Sequence, residues 1–199
     1  KILSSVYDIS LFNIEDGLPS LDSFDWIFTK EGFGGDIIRS IQEKKHSAKT
    51  GIFVSSSREI PTNGQLNEFD IVFYETDWYY NHANLSRHNN CHKAFGIDDS
   101  FCNNNPLKEK DIDNLFVGAI AGYKRPWEIT KHKGVNLCIG EIKDKEIESF
   151  LKNNNVLVYP FVKYEDLSKI YERSKNCIVP CSTHGGGERA VLEARAHGV

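Results

Sequence analysis

Gly185-Gly186-Gly187, followed at once by Glu188 and five residues later by Glu193, is the stretch whose composition most clearly suggests chemistry. A backbone without Cβ atoms lets a ligand approach closely. Where such a loop opens a helix, the free N–H groups of the first turn and the helix dipole make an anion site suited to a diphosphate. Glu193, inside that helix, can turn its carboxylate toward the same mouth and accept hydrogen bonds from ribose hydroxyls. A Gly-rich turn beside a surface glutamate is the plainer reading of the same residues.

Other clusters are weaker. Thr29-Lys-Glu-Gly-Phe-Gly-Gly-Asp36 is a Gly-rich loop between a strand and a helix, but the third Gly of a dinucleotide fingerprint would fall on Ile37. His82, His88, Cys91 and His92 follow no standard zinc spacing, and their Asn-rich surroundings read as a loop, so no metal is expected. Glu75 and Asp77 follow a strand-like run and could serve as a general base; loop acids are the favoured reading.

The elements that must hold these residues alternate. Leu115–Ile120, Val135–Ile139, Val156–Tyr159 and Asn176–Val179 read as strands. Between them fall a polar helix near 126–133, a helix capped by Asp144 with Ile147, Phe150 and Leu151 on one face, and a helix over Tyr164–Lys175. A last helix, Glu188–His197, closes at Gly198. Strict βαβα alternation predicts a parallel sheet covered on both faces, with ligands at the carboxyl ends of its strands. Earlier in the chain, Asp25–Phe28, Thr50–Val54 and Asp70–Tyr74 read as strands and Asp36–Lys45 as a helix, with a polar loop over Ser55–Asn67. The polar segment Asn103–Asp113, holding Pro106, divides residues 1–105 from 106–199.

Bulk properties narrow the classes. With 199 residues, 40% of them hydrophobic and 26% charged, the chain suits one or two globular domains. A net charge of −4 argues against nucleic acid as a partner. No apolar run nears the roughly 20 residues of a membrane span. Five cysteines without a CxxC pair fit a reducing, cytoplasmic setting. The sequence holds no Met and stops where another strand is due, so a truncated chain stays an open reading.

Leu192-Glu193-Ala194-Arg195-Ala196-His197-Gly198 resembles the Leu-Glu-Ala-x-Ala-x-Gly helix of the group 1 glycosyltransferases. The family carries a second glutamate earlier, at the position of Gly185 here; the nearest carboxylate is Glu188, as in relatives that read Gly-Gly-Gly-Glu-Arg. Leu115–Pro126 is similar to the family's Val-Gly-Arg…Lys segment, with Gly118 and Lys124 matching and Ala119 in place of the Arg. Tyr159–Leu167 resembles the loop that lies along the nucleobase, and Lys93–Asp98 the segment before the interdomain linker. The resemblance covers about residues 70–198.

It implies a GT-B fold, two Rossmann-like parallel-sheet domains facing a cleft, with an N-terminal acceptor side of about 105 residues that is short for a complete one. It implies a UDP- or GDP-type nucleotide-sugar donor held in the C-terminal domain. Lys124, with Arg125 as substitute for the missing Arg, would stabilise charge on the departing diphosphate. Val162 and Lys163 would offer backbone contacts to the base, and Glu188 would meet the sugar. Lys30, Glu31 and Gly32 become acceptor-side candidates. The expected reaction is metal-independent transfer, without cofactor and with retention, to a hydroxyl of a glycan, lipid or protein. Peripheral membrane contact remains open. The alternatives are a non-catalytic nucleotide-sugar-binding or scaffold protein, a GT-B sugar epimerase, and, weakest, a nicotinamide-dependent oxidoreductase.

Overall fold

The computed structural model describes residues 7–12, 16–30, 35–43, 46–55, 63–97, 109–180 and 188–199. The chain divides into two compact units, Lys1–Ala94 and Phe95–Val199. Each holds a four-stranded, wholly parallel sheet with helices, a Rossmann-like α/β arrangement.

In the first unit the strands are β1 (Trp26–Lys30), β2 (Lys49–Val54), β3 (Ile71–Tyr74) and β4 (Cys91–Lys93), side by side in chain order. The helices are α1 (Gly35–Glu43), α2 (Asn63–Leu66) and α3 (Asp77–His82). Ile38, Leu66, Tyr79 and Leu85 pack with Ile52, Val54 and Val72, which alternate along their strands as a one-sided core requires. On the alternate strand positions Trp26, Phe28, Phe53 and Phe73 form a row of rings 5.5–6.5 Å apart, with Phe28 60% exposed. Gly51 lies opposite Phe28, and a Cβ there would come within 2.5 Å of that ring. The ring can cross the neighbouring strand only because position 51 has no side chain.

Two readings of this region change. The Asn-rich stretch taken as loop contains α3, a 3-10 turn at Leu85–Arg87, and β4. β4 is three polar or small residues, Cys-His-Lys, held by backbone pairing with β3 rather than by an apolar pattern. The segment Ser55–Asn67 is not wholly loop either, since α2 lies within it.

The second unit contains β5 (Ile112–Val117), β6 (Asn136–Ile139), α4 (Lys145–Asn153), β7 (Leu157–Tyr159), α5 (Tyr164–Glu172), β8 (Ser174–Cys177) and α6 (Arg189–Ala196). Both faces of its sheet are covered. Leu115, Leu137 and Ile139 pack under Leu167 and Tyr171 of α5 and Ala194 of α6. Phe116 and Cys138 pack under Leu151 of α4 and Ile129. All four residues of β6 are buried, as expected for a strand inside a doubly covered parallel sheet. Asp144 caps α4 as its sequence implies, its carboxylate accepting from the N–H groups of Glu146 and Ile147 at 3.0 and 3.1 Å.

Here too the boundaries move for physical reasons. β5 starts at Ile112 rather than Leu115, because its polar residues have partners. Asp113 accepts from the Val135 N–H at 2.7 Å, and the Asn114 amide donates to Asn136 Oδ1 at 2.8 Å. β8 runs over Ser174–Cys177 rather than 176–179, and α5 ends at Glu172 to admit it. The buried Ser174 hydroxyl donates to the Ile170 carbonyl at 2.7 Å, joining the two elements. The helix expected near 126–133 is a 3-10 run, Pro126–Lys131, entered from Arg125 in the left-handed region (φ 51°). Phe150, assigned to the apolar face of α4, is exposed while Leu151 is fully buried.

Candidate functional site

The second sheet has the order β7-β6-β5-β8. From β5 the chain steps outward through β6 to β7, then crosses back to lay β8 on the other side of β5. The connections leaving β5 and β8 therefore part in opposite directions, and the opening between them is where α/β sheets of this kind bind ligands. Among the described residues the first sheet runs β1 to β4 in chain order, without such a reversal. The topology selects the carboxyl ends of β5 and β8.

Register fixes that edge. Val117 pairs with Ile139 and Ile139 with Tyr159, while Leu115 pairs with Cys177. Just beyond it, Gly118 and Gly140 meet back to back: a Cβ on Gly140 would fall 1.9 Å from the Gly118 carbonyl oxygen. The Gly118 N–H is already engaged, donating to the Ile139 carbonyl at 2.9 Å.

Lys124 ends a 3-10 turn, Gly122–Lys124, in the connection after β5. Glu188 is the N-cap residue of α6, after β8. The Lys124 ammonium donates to Glu188 Oε1, and both side chains are only partly exposed. The two residues expected to serve the diphosphate and the sugar are thus brought together at the opening. Arg125 is directed elsewhere, pairing with Glu128 at 2.8 Å. Hydrogen bonds from Lys131 first, and then from Arg125, hold the Glu128 carboxyl below its usual range.

Glu193 lies on α6 with 4% of its surface exposed. The Tyr171 hydroxyl of α5 donates to its Oε2 at 2.9 Å. Burial, and next the Glu193 carboxylate, raise that phenol far above its ordinary range. The same two causes push the thiol of Cys177 up to about 12. The Glu193 carboxylate is thus within electrostatic reach of Cys177, the last residue of β8. Tyr171 is the functional candidate that sequence reasoning passed over, having been read only as part of an apolar helix face. Its hydroxyl was the signal, because a buried phenol needs a hydrogen-bond partner.

The remaining candidates spread out. Val162 is half-buried against the core formed by Leu167 and Tyr171, and Lys163 caps α5 through its carbonyl, which accepts from Asp166 and Leu167 N–H at 2.9 and 3.2 Å. Lys30 is exposed at the end of β1 in the first unit. Glu31, Gly32 and Gly185–Gly187 lie outside the described residues. His82 stacks on Trp78 at 4.3 Å, His88 Nε2 lies 3.1 Å from the Phe69 carbonyl, and His92 Nε2 lies 2.7 Å from Asn90 Oδ1. Asp77 pairs with Lys93 at 2.9 Å. Among the described residues no group of metal-ligating side chains converges, and no helix is long and apolar enough to cross a membrane.

In comparisons with known proteins, no family model and no curated sequence matched the chain.

Proposed function

We propose that the second unit binds a nucleoside-diphosphate sugar, of UDP or GDP type, at the carboxyl ends of β5 and β8. On this reading the chain is a metal-independent, GT-B glycosyltransferase of group 1 that moves the sugar to a hydroxyl of a glycan, lipid or protein. The observation that carries it is the meeting of Lys124 and Glu188 across the point where the strand order reverses, with the buried carboxylate of Glu193 on the same helix.

Each group has a job in that chemistry. As the bond from the anomeric carbon to the diphosphate breaks, negative charge grows on the leaving oxygens. Lys124 and the N–H groups opening α6 would stabilise it without reorganising. Glu188, released from Lys124 by the incoming diphosphate, becomes free to accept from sugar hydroxyls. Glu193 accepts from the ribose. The acceptor oxygen bonds to the anomeric carbon, and its proton passes to the departing phosphate, with retention of configuration.

A thermal-shift series with UDP, GDP and their sugars tests binding, because a ligand of the folded state raises stability by mass action. The expected result is a rise in Tm with one nucleotide class, lost in Lys124→Ala and Glu193→Ala. Release of nucleoside diphosphate in the presence of acceptor, absent in both variants, tests transfer. No shift with any of these ligands would overturn the reading, and binding without turnover over a broad acceptor panel would leave a nucleotide-sugar-binding protein.

A further inference from the structure

Helices cover the first sheet from one side. Its four strands follow one another in chain order, and right-handed crossovers between parallel strands then put every connecting helix on the same face. Ile38 of α1, Leu66 of α2 and Tyr79 of α3 accordingly pack together with Ile52, Val54 and Val72. The alternate positions of the strands carry Trp26, Phe28, Phe53 and Phe73, with Trp26 40% and Phe28 60% exposed.

These rings are laid out on the sheet. The Phe28 ring lies across β2 over Gly51, where a Cβ would come within 2.5 Å of two of its carbons, so its outer face is left open. The Trp26 ring is parallel to it within 6° at 5.5 Å. Phe73 is tilted from Phe28 by 40°, and Phe53 from Phe73 by 29°, so the surface turns as it crosses the sheet. Charge on this face is one-sided. Lys49 stands opposite Trp26, its ammonium 5.4 Å from the ring centroid, and Lys30 stands opposite Phe53, whereas no position of these strands on this face is a carboxylate.

Size and charge select the occupant. Four strands about 4.8 Å apart and five residues at about 3.3 Å each give a face on the order of 300 Å². A stable pair of copies buries about 800 Å² on each partner, and would crowd four lysines into one interface. A single rigid plate would reach only Trp26 and Phe28, because the other rings tilt away. A chain of rings joined by rotatable bonds can seat one unit on each. With a charge on every unit such a chain is a nucleic acid, which the net charge of −4 opposes. Sugar rings offer flat C–H faces to aromatic carbon, and a few carboxylates along them suit two lysines. We propose that the open face of the first sheet binds an oligosaccharide carrying uronic-acid residues, its rings stacked on Trp26 and Phe28 and its carboxylates met by Lys30 and Lys49. The platform lies within the first unit and does not depend on the nucleotide site of the second.

The test is binding to an array of oligosaccharides, each uronic-acid member paired with its neutral methyl ester, beside an oligouridylate RNA, with calorimetry on the strongest binder. The unmodified protein is expected to prefer the acids to their esters about threefold or more, a preference that falls with salt. Phe28→Ala should weaken binding about tenfold, the worth of one stacked ring. Gly51→Ala keeps every ring but lifts Phe28 off the sheet, and should weaken binding to a similar degree. Lys30→Gln combined with Lys49→Gln should lose the acidic preference and still bind the esters. Circular dichroism and the urea midpoint establish that each variant is folded, and Trp26→Ala supplies the same reading where Phe28→Ala is not. The proposal is overturned if no oligosaccharide binds, if acid and ester bind alike, or if the RNA binds more tightly than every sugar. It is overturned equally if the folded ring and glycine variants bind as tightly as the unmodified protein, or if the double lysine variant keeps the acidic preference.

Discussion

Lys124 and Glu188, 64 residues apart in the chain, form an ion pair that joins the connection after β5 to the residue capping α6. On the proposed reading the Glu188 carboxylate neutralises the ammonium that a diphosphate would use. On that reading, binding a diphosphate would exchange one counter-ion for another, and only the sugar-bearing ligand would give the displaced carboxylate a new partner.

That exchange separates the roles of the two residues. Glu188→Gln is expected to bind UDP or GDP alone at least as tightly as the unmodified protein, but to bind the matching nucleotide sugar more weakly. Lys124→Ala should weaken both. Titration calorimetry with each nucleotide and its sugar measures the difference. Equal weakening of both ligands by Glu188→Gln would mean that the carboxylate shapes the loop and does not compete for Lys124.

The back-to-back approach of Gly140 and Gly118 gives a steric prediction. An alanine at 140 would drive its Cβ into the Gly118 carbonyl, and backbone must move to relieve it. Gly140→Ala is expected to destabilise the second unit by about 1–3 kcal/mol, the usual range for a forced backbone shift. Because the displaced loop leads from Gly118 to Lys124, nucleotide affinity should fall with it. Urea unfolding and binding on the same sample test both halves.

The parallel α/β character of both units was legible because Leu115, Leu137 and Leu167 recur with the spacing of buried strands and helices, and because Asp144 and Gly198 punctuate their helices. Gly198 has φ +68°, and Val199 N–H reaches back to the Ala194 carbonyl at 3.0 Å, so the helix stop read from one glycine is realised. What was not legible depended on partners far away in sequence. β4 has no apolar pattern and exists because β3 offers it a paired edge. The early starts of β5 and β8 depend on Asn114, Asn136 and Asn176 meeting across three strands. At the site, the residue types of Lys124, Glu188 and Glu193 suggested their chemistry, but that Lys124 pairs with Glu188, Arg125 with Glu128 and Glu193 with Tyr171 is a matter of folding that spacing does not encode.

The asparagine row makes its own prediction. The buried Asn114 amide donates to Asn136 Oδ1 at 2.8 Å and to the Lys133 carbonyl at 3.0 Å, and it accepts from Asn176 at 3.4 Å. Asn114→Ala removes the shared partner and leaves buried polar atoms unpaired, a loss of about 1–3 kcal/mol. The urea midpoint should fall with little change in slope. Asn176→Ala, at the exposed side of the row, should cost less.

Acid sensitivity follows from four paired carboxylates held below their usual range: Asp111 by Arg173, Asp113 by Lys175 and the Val135 N–H, Glu128 by Lys131 and Arg125, and Glu148 by Lys152 and Lys145. A lowered folded-state pKa adds stability that is complete above the unfolded value, about 4, and is lost as pH falls through the folded value. Stability should therefore hold from neutrality to about pH 5 and decline below about 4, less steeply in high salt, which screens exposed pairs. Asp113→Asn should lower the urea midpoint at pH 7, and lower it progressively less as pH falls below about 4.

Thiol chemistry tests the placement of Glu193 without any ligand. Burial alone pushes Cys138 up to about 12, whereas Cys177 reaches about 12 through burial and then the nearby Glu193 carboxylate. At pH 8 a thiol of that kind is ionised at roughly one part in 10⁴, so neither should alkylate in the native protein on the timescale of the urea-unfolded chain. Glu193→Gln removes the negative charge beside Cys177 and leaves Cys138 untouched. Iodoacetamide labelling followed by peptide mass mapping is expected to show Cys177 reacting faster in that variant, with Cys138 unchanged. Should Cys177 label at the same rate in both proteins, the carboxylate does not lie near the end of β8, and its assignment to the ribose would go with it.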